Sequence, residues 1–126
     1  MAEHVYLGGH SYGGRQASML AAESPGLVEA LLLLSYPLHP PKKPEQLRTA
    51  HFPQLHTPAL FVSGTKDEFA TVDELKSALA LIPAQTELQI IEGAGHDLMK
   101  GAFQLNPVLE QLALVARRHA PRPTPS

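Results

Sequence analysis

The chain has no cysteine. Disulfides, thiolate metal sites and a cysteine nucleophile are therefore excluded, and a cytoplasmic location is the expectation. An excess of either charge is lacking too. Ten basic side chains stand against twelve acidic ones, a balance that argues against nucleic acid and anionic membrane surfaces as partners. No apolar run approaches the roughly 18 residues of a spanning helix, and the opening residues lack the charged-then-apolar form of a signal peptide. Proline, by contrast, is abundant at twelve copies, and the seven that gather in Pro37–Pro44 and Pro121–Pro125 mark a loop and a tail. Neither an internal repeat nor a second domain is visible in the 126 residues. The reading is one domain over residues 1–119 and a disordered tail over 120–126.

What is present begins with His4–Arg15, HVYLGGHSYGGR. A short apolar run ends in Gly8-Gly9, Ser11 follows, then Gly13-Gly14 and a helix-like segment. Strand, tight turn with a central serine, and helix together give Gly9-His10-Ser11-Tyr12-Gly13 meaning as a G-x-S-x-G nucleophile elbow. Gly9 and Gly13, each two residues from the serine, are expected to be small so that strand and helix can approach.

Beyond it, the first helix is expected over Arg15–Ser24, stopped by Ser24-Pro25-Gly26. Val28–Ser35 is a continuous apolar run between Gly26 and Pro37, read as a strand buried on both faces. Tyr36–Pro58 is a long connection with a short helix around Glu45–Ala50. Leu60–Ser63 is the next strand. Thr71–Leu81 is a helix, with Thr71 and Glu74 in capping-box spacing and Val72, Leu75, Leu79 and Ile82 at helical intervals. Glu87–Glu92 is the fourth strand. The last helix is expected from Asn106 as N-cap and Pro107 as first helical residue, with Leu109, Leu112 and Val115 or Ala116 as its apolar face. Strand alternating with helix predicts an α/β protein, three-layered α/β/α, with a mostly parallel sheet of about four strands.

Catalytic residues of open parallel sheets collect at the carboxyl ends of strands. Ser11 follows the first strand, Asp67 the third and His96 the fourth. A serine hydroxyl becomes nucleophilic when an imidazole takes its proton, and a carboxylate fixes the imidazole tautomer. The order Ser, Asp, His is that of the triad on such sheets. Glu68 competes with Asp67 for the acid, and Glu92 and Asp97 read as local loop acids. The backbone N–H of Tyr12 is the candidate oxyanion donor. Tyr36 and His39 follow the second strand, where side chains either line a substrate pocket or pack a loop. His51 and His56 lack a third ligand at metal spacing, so no metal and no cofactor are expected. Pro41-Lys42-Lys43-Pro44 matches a P-x-x-P ligand but reads better as a stiff loop.

These residues resemble the α/β-hydrolase superfamily through His119. GGHSYGGRQAS, LSYPLHPPKKPEQLR, LFVSGTKDEF and IEGAGHDL together look like its dienelactone-hydrolase-like branch. That branch includes testis-expressed hydrolase-like proteins and a scaffold subunit of a nuclear histone-acetyltransferase complex. The resemblance implies Ser11 as nucleophile, Asp67 as acid, His96 as base and a small-molecule ester or related acyl substrate. It covers only the C-terminal half of the superfamily fold. The earlier strand-helix loop that holds the second oxyanion donor in such folds has no counterpart before His4. The expectation is a truncated or mis-started gene product, or a first-strand edge, Val5–Leu7, that self-associates with another chain. The competing reading is a non-catalytic hydrolase-like interaction module.

Overall fold

The computed structural model describes residues 6–98 and 105–118. Its elements run β1 (Tyr6–His10), α1 (Tyr12–Glu23), β2 (Ala30–Leu34), a 3-10 turn (Phe52–Gln54), β3 (Ala59–Gly64), α2 (Val72–Leu79), β4 (Thr86–Ile91) and α3 (Leu105–Arg118). The four strands are all parallel and lie in the order β1-β2-β3-β4. The expected α/β architecture is therefore present. The tail assigned to 120–126 lies outside the described residues, as do His4 and Val5 at the start of the His4–Arg15 stretch. No helix among the described residues is long and apolar enough to cross a membrane.

Continuous apolar runs form the middle strands because both faces of the sheet are covered. Side chains alternate across each strand. Leu31, Leu33, Ala59 and Phe61 pack on one face with Ala17 and Ala21 of α1 and Leu75 and Ala78 of α2. Ala30, Leu32, Leu60 and Val62 pack on the other with Val108, Leu112, Val115 and Ala116 of α3. Tyr36, Phe52 and Phe61 close the first core edge to face, at centroid separations of 5.4–6.2 Å.

Several local expectations change. α1 starts at Tyr12, three residues before the expected Arg15, because Ser11 itself is the N-cap. No helix forms around Glu45–Ala50. Successive turns, Lys43 N–H to the Pro40 carbonyl and Gln46 N–H to the Lys43 carbonyl, take that segment instead. The helical turn moves to Phe52–Gln54, where Phe52 is buried, whereas Leu47 at 54% exposure has no core to enter. Lys42 sits at φ 64°, which the all-negative φ of a polyproline helix does not allow, so the P-x-x-P stretch is a turn. α2 ends at Leu79 and α3 begins one residue before its expected cap, Asn106. Pro107 still falls in its first turn, where N–H groups have no helical acceptor. Leu109 is 45% exposed and Val108 is buried in its place.

The connection after β2 is tied to α2 by one ion pair. His39 Nε2 donates to Glu74 Oε1 at 2.9 Å and His39 Nδ1 donates to the Pro40 carbonyl at 2.7 Å. Both ring nitrogens donate, so the imidazole is a cation. Burial lowers the His39 pKa, but the Glu74 carboxylate and Pro40 carbonyl, with Glu45, outweigh it and hold it above the ordinary 6.5. Glu74 is held below its ordinary 4.5 by the His39 hydrogen bond and the Thr71 N–H. It also completes the expected capping box with Thr71.

The pair therefore contributes in full between the two unfolded values, about pH 4.5 and 6.5. Its contribution falls as pH drops through the depressed Glu74 pKa and as pH rises through the elevated His39 pKa. Glu74→Gln keeps a capping-box side chain but removes the charge. It is expected to cost on the order of 1 kcal/mol in urea unfolding within that window. The deficit should shrink above it; a constant deficit from pH 5 to 9 would contradict the ion pair.

Candidate active site

Ser11 stands between the end of β1 and the start of α1 at φ 55°, ψ −121°, a conformation that costs a non-glycine residue about 1–3 kcal/mol. Its N–H donates to the Leu34 carbonyl of β2 at 2.7 Å, and its carbonyl accepts from Arg15 N–H at 3.1 Å. The strain is thus fixed from the sheet on one side and the helix on the other. A Cβ on Gly9 would lie 2.4 Å from the Gly13 main-chain carbon, whereas one on Gly13 would meet nothing within 4 Å. Close approach is the reason for Gly9. At Gly13 it is the main chain, not the missing side chain, that makes the contact, so the expectation that both must be small holds for Gly9 alone. Tyr12, the first residue of α1, has an N–H with no acceptor inside the helix.

The loops after β3 and β4 are sewn to each other. Lys66 N–H donates to the Ala94 carbonyl at 2.8 Å, Thr65 N–H to the Ile91 carbonyl at 3.2 Å, and Gly93 N–H to Thr65 Oγ1 at 2.9 Å. The two loops touch so closely that a Cβ on Gly64 would lie 2.0 Å from the Ala94 carbonyl oxygen. Nothing in the sequence beyond a strand-closing glycine signalled this contact.

These loops bring Asp67 and His96 to Ser11. His96 Nε2 is 2.5 Å from Ser11 Oγ, and His96 Nδ1 is 3.0 and 3.1 Å from the two Asp67 carboxylate oxygens. A carboxylate only accepts, so Nδ1 carries the proton facing Asp67. In neutral His96, Nε2 is then the acceptor for the Ser11 hydroxyl. The Asp67 side chain is fully buried, and Glu68 is exposed; the two candidate acids are separated by burial. Asp67 Oδ1 also accepts from Phe69 N–H at 2.8 Å. Phe69 stacks on His96 with ring centroids 4.0 Å apart and planes at 27°. His10, inside the G-x-S-x-G, donates from Nε2 to the His96 carbonyl at 2.9 Å. Residue patterns assign no role to Phe69 or Gly64, because neither residue type carries chemistry at that spacing.

Tyr36 and His39 do not line the site. Tyr36 is fully buried. Its hydroxyl donates to the Arg48 carbonyl at 2.8 Å, and burial pushes its pKa up to about 12 against the smaller lowering by Ser18, Arg15 and Arg48. His39 is committed to Glu74. Both residues pack the connection, because a chain leaving β2 through a proline-rich turn must satisfy its polar groups locally. A hollow of about 300 Å³ between this connection and α2 is lined by Pro44, Leu47 and Ser77, among others, and not by Ser11, Asp67 or His96. Half-buried His51 is bonded through Nε2 to Ser18 Oγ at 2.7 Å, and burial and then Arg15 lower its pKa. Among the described residues no group of three His, Asp or Glu is placed to hold a metal.

The two elbow glycines give opposite expectations. Gly9→Ala should destabilise by about 1–3 kcal/mol, because main-chain atoms cannot yield to the new methyl. Gly13→Ala, in a helix with open space around it, should be neutral or stabilising by up to about 1 kcal/mol. Urea unfolding of the two variants checks this, and equal losses would contradict the geometry.

Residues 1–118 match the family model described as alpha/beta hydrolase domain. Among solved structures, a dienelactone hydrolase from Anabaena variabilis is similar at 24% identity and TM-score 0.69, over 94% of this chain and 50% of that one. An alpha-beta serine hydrolase homologue from Coxiella burnetii aligns at 22% identity and TM-score 0.58, over 94% and 50%. A monoacylglycerol lipase from Paleococcus ferrophilus aligns at 12% identity and TM-score 0.71, over 91% and 68%. The chain thus spans about half the length of the first two. At these identities the likeness is one of fold, and with the family match it settles the assignment: the chain belongs to the α/β-hydrolase superfamily.

Proposed function

We propose that the protein is a serine hydrolase acting on an ester or related acyl substrate through Ser11, His96 and Asp67. One observation carries the reading: the hydroxyl, imidazole and carboxylate form a continuous hydrogen-bonded line from a half-buried serine to a fully buried acid. In the first step His96 Nε2 takes the Ser11 proton as Oγ bonds to the substrate carbonyl carbon. Asp67 holds the Nδ1 proton and stabilises the imidazolium that forms. Charge then moves onto the carbonyl oxygen, toward the Tyr12 N–H at the positive end of α1. Collapse breaks the bond to the leaving alcohol, which takes the proton from His96 and leaves an acyl group on Ser11. Water, deprotonated by His96, releases the acid and restores the serine.

A second reading, a non-catalytic interaction module, draws on the Tyr12 N–H being the one oxyanion donor expected from the sequence. It also draws on β1 being an edge strand of the described sheet, with one neighbour, β2. That edge suits pairing with a strand of another chain or of a longer protein.

A fluorophosphonate probe separates the two. Wild type should be labelled at Ser11, Ser11→Ala should not, and His96→Ala or Asp67→Asn should slow labelling by at least about a hundredfold. Folded wild type that takes no label would favour the module.

A further inference from the structure

Hydrogen bonds at Nδ1 and Nε2 fix two points of the His96 ring. With the Cβ–Cγ bond they set where the ring sits, but hydrogen bonds resist tilting out of their plane only weakly. Removing that tilt takes a contact on the ring face. Phe69 supplies one, stacked at 4.0 Å. On the nucleophile side the neighbouring ring, His10, lies 5.6 Å away and is tilted by 49°, too far to act as a plate. Phe69 is itself held by both of its main-chain polar groups: its N–H donates to Asp67 Oδ1 at 2.8 Å and its carbonyl accepts from His39 N–H at 3.1 Å. The plate is therefore referenced to the acid of the same line and to the proline-rich connection after β2.

We infer that Phe69 is a positioning residue for the proposed base, holding the His96 imidazole in plane with Asp67 and Ser11 and stabilising its protonated form through the aromatic face. This rests on the serine-hydrolase reading. An aromatic ring attracts a cation over its face with about 0.5–1 kcal/mol at partly exposed sites, and in the proposed step His96 becomes a cation as it takes the Ser11 proton. The interaction is then stronger after proton transfer than before it, which is the condition for accelerating the step. The stretch Tyr36–Pro41 takes part as well. Through the main chain of His39 it supports the plate from behind.

The test uses p-nitrophenyl acetate hydrolysis and fluorophosphonate labelling of wild type, Phe69→Leu, Phe69→Met and Phe69→Tyr, each with a melting curve as fold control. Leu and Met, which fill space without a π face, should lower kcat about two- to fivefold with KM within twofold. Tyr, which keeps the ring, should restore it. The groups facing the imidazole are the Asp67 carboxylate, the Ser11 hydroxyl and the His10 ring, and none changes among the variants. Labelled wild type with all variants equal to it, or a Leu loss that appears in KM alone, would overturn the role of Phe69 and leave the hydrolase reading standing. Folded wild type that neither hydrolyses the ester nor takes the probe would overturn both.

Discussion

Ser11, Asp67 and His96 leave the sheet at one level because β1, β3 and β4 run parallel in a fixed register. His10 stands opposite Leu34, Leu34 opposite Val62, and Gly64 opposite Ile91. A slip of one residue in any pair would turn every side chain of that strand to the other face. It would also move a loop by about 3.3 Å along the strand, more than the 2.5 Å that separates Ser11 Oγ from His96 Nε2. Apolar burial on both faces holds the register. Leu31 and Leu33 point into one core and Ala30 and Leu32 into the other, so a slip exposes no polar face that water could favour but scrambles two packed layers at once.

Above that level the loops hold one another. Gly64 lets the loop after β3 lie against Ala94, Lys66 and Thr65 bond across to the loop after β4, and Phe69 fills the space beside the His96 ring. The strain at Ser11 is the local cost of lifting a hydroxyl out of the sheet plane. It is borne by the Leu34 carbonyl below and the first turn of α1 above. Rigid strands, short loops and a buried carboxylate together hold the hydroxyl, the imidazole and the carboxylate in one hydrogen-bonded line.

Much of this was legible from residue patterns. Apolar runs bounded by glycine and proline located β2 and β3, and the capping-box spacing of Thr71 and Glu74 located α2. Glycine spacing around Ser11 pointed to the elbow, and the order of Ser11, Asp67 and His96 pointed to the residues that the fold brings together. The connection from Tyr36 to Pro58 was not legible. Its polar residues are satisfied by partners distant in sequence, such as Tyr36 with Arg48 and His39 with Glu74, and no periodicity records such pairings. The same holds for Phe69, whose partner is 27 residues away by number (96 − 69) and is known only once β4 has been laid beside β3. Burial, which separates Asp67 from Glu68, is likewise a property of the fold and not of the dipeptide.

On the proposed reading this line of three side chains makes Ser11, and no other hydroxyl or imidazole in the chain, the acyl acceptor. Intact and peptide mass spectrometry after brief exposure to p-nitrophenyl acetate reads this directly. One acetyl group on the peptide carrying Ser11, absent from the Ser11→Ala variant and lost again on standing, is the result expected. Acetylation that survives Ser11→Ala unchanged, or that falls on surface lysines and histidines alone, would contradict it.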